Sequence, residues 1–291
     1  MKDFNKEKIR PARKMTGKKK KLAVIYNILL VFFSLVIVFC GFKIGSYYWQ
    51  GWRSTSENET IIDEVVSTPS LPTVSQNSSS SSGGYTFATI PKSVDFQKLK
   101  KKNSEVVGWI FNQNGIINYP IMQAVNNDYY LNHTINKTKN VNGSIFMNYK
   151  NKGNFTDKLT FIYGHSMKNG TMFASLLRYR NQSYYNAYPS FYLYTPYGKY
   201  KLDVFSAFET TDADKIYSAG YNQKDYSDII SYAFSKSKVK ADVTVSEQDR
   251  IVVLSTCAYN NDNGRFLVLA KMTVLEEKIP ENSSKNTLFH Q

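Results

Sequence analysis

Cys257, His165 and Arg265 are the residues whose types could together carry out chemistry. Cys257 follows an apolar, β-branched run that gives way to the polar segment 260–263, and Arg265 lies eight residues after it. His165 follows a second apolar run. A thiolate is a nucleophile, an imidazole can exchange a proton with an amine, and a guanidinium offers fixed donors to an oxygen that becomes negative. The three types predict nucleophilic catalysis by a cysteine.

Residue types alone leave other interpretations open. A lone cysteine is often an inert buried residue, and a lone arginine is usually a solvated surface charge. Of the three histidines, His133 follows an aromatic run and is interpreted as a packed or surface helix residue, and His290 lies in a polar C-terminal tail. His165 is therefore the favoured partner of the cysteine.

Strand-like segments must position these residues. Short β-branched and aromatic runs between turn signals such as Asn114-Gly115 predict eight strands. The predicted strands are 106–111, 116–122, 144–149, 158–164, 190–195, 199–208, 250–257 and 265–275. Strand ends beside loops are places where a rigid scaffold presents functional groups. The pattern predicts a mostly β protein with a closed or nearly closed antiparallel barrel.

Helical character is predicted at four places. The domain is expected to begin with a helix that contains Phe96 and Leu99, and Ser93 is its expected N-terminal cap. The stretches 127–133, 171–179 and 224–237 interrupt the strand pattern. The last of them follows the polar run 212–215 and is interpreted as a helical insertion between strands.

The N-terminus carries most of the basic charge. Residues 1–21 hold ten Lys or Arg against Asp3 and Glu7, which is +8 of the chain's net +14. Nucleic-acid binding would place this charge on the folded domain, so we expect no nucleic-acid partner. The uncharged run 22–42 follows, and 21 helical residues span about 31 Å, enough to cross a bilayer. The lysines before it predict a cytoplasmic N-terminus and an extracellular domain.

A cleaved signal peptide is the competing interpretation of 22–42. The run is longer than the usual apolar region of a signal peptide, and no small-x-small cleavage site follows it, so a retained single-pass anchor in the cell membrane is favoured. Cys40 lies inside this run and is not a plausible disulfide partner for Cys257. An unpaired cysteine in an exported domain marks Cys257 as a candidate reactive thiol.

A serine-rich segment separates the anchor from the domain. Residues 54–84 contain ten serines, including the run 78–82, and predict a flexible linker. The predicted organisation is a basic tail (1–21), an anchor (22–42), a juxtamembrane segment and linker (43–85), a catalytic domain (86–277) and a polar tail (278–291).

Several motifs resemble those of one enzyme family. The run LSTC (254–257), followed by GRF (264–266), closely resembles the TLxTC…R signature of sortases, and YGHSM (163–167) is similar to their histidine segment. The flanking segments resemble class B sortases of Gram-positive bacteria, in order: VGWI (107–110), NYPI (118–121), NDYYLNH (127–133) and GSIFM (143–147). Val253 departs from the usual threonine of the signature.

This resemblance implies a fold and a reaction. The fold would be a closed eight-stranded sortase-type β-barrel with an N-terminal helix and a helical insertion. The enzyme would be a cysteine transpeptidase that cleaves a C-terminal sorting motif of secreted proteins through a thioester on Cys257. It would then transfer the acyl fragment to an amine of a peptidoglycan precursor. His165 would be the general acid and base, and Arg265 the oxyanion or substrate-binding donor.

The resemblance also bears on substrate and cofactors. Class B suggests sorting motifs of the NPxTN or xPxTG kind rather than LPxTG. Ser255 and Thr256 are candidates for lining the substrate groove, although ordinary strand hydroxyls explain them equally well. The chain has no HExxH, CxxC or EF-hand pattern, so neither a metal nor another cofactor is expected.

Two other classes of function remain to be distinguished. An L,D-transpeptidase or a papain-like peptidase would use the same nucleophile within a different local motif. A membrane-anchored binding module could instead present its 22 tyrosines to a sugar or peptide, with Cys257 buried and inert.

Overall fold

The computed structural model describes residues 17–68, 87–219, 226–257 and 263–277. The α-helices are α1 (Gly17–Val65), α2 (Phe96–Lys102), α3 (Gln182–Ala187), α4 (Ile216–Ala219) and α5 (Tyr226–Lys236). Two short strands, β1 (Val66–Ser67) and β2 (Ser93–Val94), pair with each other. The other strands are β3 (Val106–Asn112), β4 (Asn118–Met122), β5 (Ile145–Met147), β6 (Leu159–Tyr163), β7 (Ser190–Thr195), β8 (Gly198–Thr211), β9 (Arg250–Cys257) and β10 (Gly264–Glu277).

Strands β3 to β10 close into a barrel in the order β10-β8-β7-β3-β4-β5-β6-β9, and β9 pairs with β10 to complete it. All eight contribute to one buried apolar cluster, to which β6, β9 and β10 supply Ile162, Leu254 and Phe266. Because side chains alternate across a strand, this cluster fills the barrel interior and the intervening residues face outward. The predicted closed eight-stranded barrel is confirmed.

The predicted antiparallel arrangement is wrong at two strand pairs. β4 pairs with β5, and β6 pairs with β9, in parallel, so the barrel is mixed. Parallel neighbours require a long crossover connection, and here those connections are the segments 123–144 and 164–249. The alternation within a single strand does not encode the direction of its neighbour, which is why the sequence pattern missed both pairs.

Helices cover the outer surface of the barrel on two sides. α5 packs Tyr226, Ile229 and Ala233 against outward residues of several strands, including Val253 and Leu267. The end of α1 and helix α2 cover a second face that contains Trp109 and Phe111. The predicted insertion helix at 224–237 is therefore confirmed as α5, and it covers a barrel face.

The other predicted helical stretches need correction. Residues 129–131 form a 3₁₀ helix within the predicted stretch 127–133, and residues 174–180 form another that overlaps the predicted stretch 171–179 and ends one residue beyond it. Aromatic side chains there, such as Tyr130 and Tyr179, are buried in the domain, and this tertiary packing overrides helix propensity. The cap of α2 is Asp95, whose Oδ1 accepts from Lys98 N at 3.0 Å. Ser93, the predicted cap, instead pairs with Ser67 in the β1–β2 ladder.

The predicted linker also begins too early. α1 continues to Val65, and Ile61 and Val65 are buried against the barrel, so 54–65 is helical rather than a flexible coil. The serine run 78–82, the tail 278–291 with His290 and the basic residues 1–16 lie outside the described residues. The chain divides into two compact units between Trp49 and Gln50. In the first unit, α1 exposes large apolar side chains between Leu22 and Phe42 and is long and apolar enough to cross a membrane.

Candidate active site

The register of three neighbouring strands places His165, Cys257 and Arg265 in one row. Cys257 on β9 is directly opposite Arg265 on β10. The other neighbour of β9 is β6, which pairs with it in parallel and places Tyr163 opposite Ser255. Two residues further along both chains, His165 is therefore level with Cys257. A hydrogen bond from Gly164 N to Ser255 O, 3.1 Å, continues the pairing past the end of β6. Adjacent strands are about 4.8 Å apart, so the three side chains are neighbours.

All three side chains face outward from the barrel. Side chains alternate between the two faces of a strand, and each of the three lies an odd number of residues along the chain from an interior residue of β6, β9 or β10, namely Ile162, Leu254 or Phe266. Gly164 has no room for a side chain, because a Cβ atom there would lie 2.4 Å from Ile145 Cδ1. This close packing fixes the path of the chain immediately before His165.

The thiol and the imidazole stabilise each other's charged forms. A hydrogen bond from His165 lowers the pKa of Cys257, the positive charge of Arg265 lowers it further, and burial opposes both. The same hydrogen bond raises the pKa of His165, against burial, and a bond to the backbone of Leu131 adds to the increase. Both groups are half-buried. The pair is therefore biased towards a thiolate and an imidazolium, the state in which a cysteine is nucleophilic.

The carbonyl of Leu131 fixes the tautomer of His165. Nε2 lies 2.7 Å from Leu131 O, and a carbonyl oxygen only accepts, so Nε2 carries a hydrogen in both protonation states. Nδ1 is then the ring nitrogen that is available for proton exchange. Sequence reasoning missed Leu131, since any residue type can supply a backbone carbonyl.

Arg265 is oriented by two oxygen atoms. Its Nη1 donates to Gly264 O at 3.0 Å, and its Nη2 lies 3.5 Å from the Asp212 carboxylate, just after β8. Asp212 N in turn donates to Asn263 O at 3.2 Å, which ties the segment after β8 to the start of β10. A planar guanidinium held in this way presents its remaining N–H groups in fixed directions.

Ser255 and Thr256 differ in their surroundings. Ser255 faces outward with Cys257, and its Oγ is 2.9 Å from the hydroxyl of Tyr217 on α4. Thr256 faces the interior and donates its hydroxyl to Gly164 O at 2.8 Å. Both hydroxyls therefore have protein partners, and that of Thr256 ties β9 to the residue before His165.

A cleft with a volume of about 390 Å³ contains the row. Its floor is the outward surface of β6, β9 and β10. One wall is the segment 127–131, and the opposite wall carries Asp212 and Tyr217. Tyr217 stacks on Phe161 with ring centroids 5.4 Å apart, and burial raises its pKa, so its hydroxyl stays neutral. The sequence analysis singled out 127–133 as a motif and 212–215 as a polar run before the insertion, but not which side chains reach the cleft.

His133 does not belong to this constellation. Its ring stacks on Tyr129 at a centroid distance of 4.1 Å, and its Nδ1 lies 2.8 Å from Tyr129 O. It is thus a packed residue of the loop. Within the described ranges, no three His, Cys, Asp or Glu side chains are arranged to hold a metal ion.

Comparison with known proteins identifies the family. The model of the sortase domain matches residues 114–273. The chain belongs to the sortase family. Sortase B of Listeria monocytogenes is 34% identical over 242 residues, covering 81% of this chain and 92% of that protein. These comparisons confirm the class B resemblance and support a cysteine transpeptidase rather than a binding module.

Solved class B sortases share the fold. A Staphylococcus aureus sortase B–substrate complex matches with a TM-score of 0.58 and 37% identity, covering 62% of this chain and 85% of that one. Sortase B complexed with triglycine matches with the same TM-score and identity, covering 62% of this chain and 86% of that one.

Proposed function

We propose that this class B sortase cleaves a C-terminal sorting motif of secreted proteins and transfers the acyl fragment to an amine of a peptidoglycan precursor. The observation that carries the proposal is the row of His165, Cys257 and Arg265 on the cleft floor, with a thiol whose pKa is lowered. Catalytic roles for these three residues also match the sortase motifs in which they lie.

Acylation begins when the Cys257 thiolate attacks the carbonyl carbon at the scissile peptide bond. The oxygen gains negative charge in the tetrahedral intermediate, where the guanidinium of Arg265 donates hydrogen bonds to it. His165 Nδ1–H protonates the departing amine as the C–N bond breaks, which leaves a thioester on Cys257 and a neutral imidazole. Leu131 O holds the ring through this proton transfer.

Deacylation runs the same steps in reverse with a different amine. The acceptor amine attacks the thioester carbonyl, His165 Nδ1 takes the proton that the amine loses, and the Cys257 thiolate is released. The crystallised complex of sortase B with triglycine supports a glycine-like amine as the acceptor class.

The sorting motif is proposed to be of the NPxTN or xPxTG kind. Class B membership supports this choice, and the wall formed by Asp212 and Tyr217 offers side chains to the early motif residues. Ser255 is proposed to contact substrate together with Tyr217. Thr256 is proposed to act from behind the groove, by holding Gly164. A proline in the motif loses little entropy on binding because its φ is already fixed.

Mass spectrometry of products from a peptide panel tests this function. NPxTN, xPxTG and LPxTG peptides are each incubated with the protein and triglycine, and Cys257→Ala is the control. We expect the ligated product from one of the first two motifs and none with the variant. A clear preference for LPxTG would refute the motif assignment alone, and ligation by Cys257→Ala would refute the whole mechanism.

A further inference from the structure

The carbonyl that holds His165 lies in a loop anchored at two points. Leu131 ends the 3₁₀ helix 129–131, and Tyr130 before it is buried. The Tyr130 hydroxyl donates to a carboxylate oxygen of Glu105 and accepts from Asn103 Nδ2 at 2.9 Å. The first anchor therefore ties the 3₁₀ helix to the residues just before β3.

The second anchor is the turn 140–143, which lies against the same 3₁₀ helix. Asn140 N donates to Asn132 O at 2.9 Å, and Ser144 N donates to Tyr130 O at 2.9 Å. A Cβ atom on Gly143 would lie 2.4 Å from Tyr130 O and 2.5 Å from Leu131 O. The turn is thus in close contact with the two carbonyls and leaves them no space to move towards it.

Helix α1 holds this turn from its other side. Asn140 Nδ2 donates to Gln50 O at 3.0 Å, and Val141 N donates to Gln50 Oε1 at 3.3 Å. Asn140 Oδ1 also accepts from Asn142 N at 2.9 Å, which closes the turn. Asn140 is itself buried. A continuous set of contacts therefore runs from α1 through the turn to the Leu131 carbonyl.

We propose that Tyr130 and Asn140 are positioning residues for His165 and act through the carbonyl of Leu131. The proposal rests on the proposed function, because it assigns His165 the proton transfers. Neither residue is among those that line the cleft. If either anchor is released, Leu131 O moves, the imidazole loses its fixed orientation, and the bond between His165 and Cys257 weakens.

The proposal predicts shifts of opposite sign for the two groups. Loss of the Leu131 bond lowers the pKa of His165, and loss of its bond to His165 raises the pKa of Cys257. The pH range in which the thiolate and imidazolium coexist therefore narrows from both ends. The other titratable or charged side chains that line the same cleft are unaltered by the substitutions: Asp128, Tyr163, Asp212, Tyr217 and Arg265.

The test is the pH dependence of iodoacetamide alkylation in the full-length protein, with Cys257→Ala as the blank. Tyr130→Phe removes one hydroxyl, and Asn140→Ser keeps a short oxygen for the turn but loses the bond to Gln50. In both variants we expect alkylation at pH values below the thiol midpoint to be about threefold slower, which corresponds to a thiol pKa about half a unit higher.

Thr138→Val is the matched control, because its hydroxyl contacts Thr134 Oγ1 at 2.9 Å in the same loop but not the 3₁₀ helix. Its profile should match that of the unsubstituted protein. Profiles of both test variants that coincide with the unsubstituted protein, or an equal shift in Thr138→Val, would overturn the proposal. Alkylation requires no substrate, so failure of the proposed transpeptidation would be seen separately in the peptide panel.

Discussion

Arg265 faces Cys257 directly across the β9–β10 ladder, so its contribution is testable without disturbing the thiol. Arg265→Lys keeps the positive charge but loses the planar fork of donors. We expect kcat/KM for ligation to fall on the order of 100-fold, the cost of removing one oxyanion donor, while alkylation of Cys257 changes little.

Arg250→Lys is the matched control, since Arg250 lies at the opposite end of β9 and its Nη1 contacts Phe155 O at 3.2 Å. Its ligation rate should stay close to that of the unsubstituted protein. Near-normal turnover by Arg265→Lys would show that Arg265 contributes only its positive charge.

The shifted pKa values of the thiol and imidazole predict how reactivity depends on pH. The pKa of Cys257 is lowered mainly by its bond to His165, so alkylation should reach half its maximum at a lower pH than alkylation of an exposed cysteine in a short peptide measured alongside. His165→Gln removes the imidazolium, raises the thiol pKa and should move the midpoint to higher pH. A midpoint of the unsubstituted protein at or above that of the peptide cysteine would contradict this account of the pair.

For single residues, the sequence patterns identified side chains with distinctive chemistry and missed the groups that lack it. Cys257, His165 and Arg265 lie in motifs, and the structure brings them together. The carbonyl of Leu131 carries no signature in the residue type. No sequence pattern singled out Tyr217, because its contact with Ser255 spans 38 residues and depends on the folded arrangement.

The insertion between β8 and β9 serves two different purposes at the level of elements. Its first part brings Asp212 and Tyr217 to the cleft, whereas α5 covers the outer face of the barrel. We therefore expect substitutions in the first part to change substrate specificity and substitutions in α5 to change stability.

Paired substitutions test this separation. Ile229→Ala on α5 removes a side chain that is 2% exposed and should lower the free energy of unfolding by about 2–5 kcal/mol. It should leave the ratio of kcat/KM between NPxTN and LPxTG peptides unchanged. Tyr217→Ala should change that ratio. Denaturant unfolding measures the change in stability, and peptide competition measures the ratio of kcat/KM. An unchanged ratio in Tyr217→Ala would show that this wall does not recognise the sorting motif.

The positions of the strands were predicted more accurately than the pairing between them. All eight barrel strands were expected from β-branched and aromatic runs, and they occur with modest changes at their ends. The parallel pairing of β6 with β9 was not predicted, although this pairing places His165 level with Cys257. Strand pairing depends on contacts between segments about 90 residues apart, and neither segment encodes its partner.

For the molecule as a whole, the N-terminal apolar helix is a candidate membrane anchor, and its orientation remains a prediction. The basic residues before 22–42 predict a cytoplasmic N-terminus and a domain outside the cell. Protease added to intact protoplasts should remove the domain and leave a tagged N-terminal fragment. Protection of the domain in intact protoplasts, with cleavage only after lysis, would show the opposite orientation.

The most direct test of the central claim is the acyl-enzyme itself. The protein is mixed with a sorting-motif peptide without an acceptor amine, quenched in acid and digested for mass spectrometry. We expect the mass of the N-terminal peptide fragment, less one water, on the segment that contains Cys257, and its loss when triglycine is added before quenching. Ligated product without any adduct at Cys257, or an adduct that triglycine fails to discharge, would contradict a thioester mechanism at this residue.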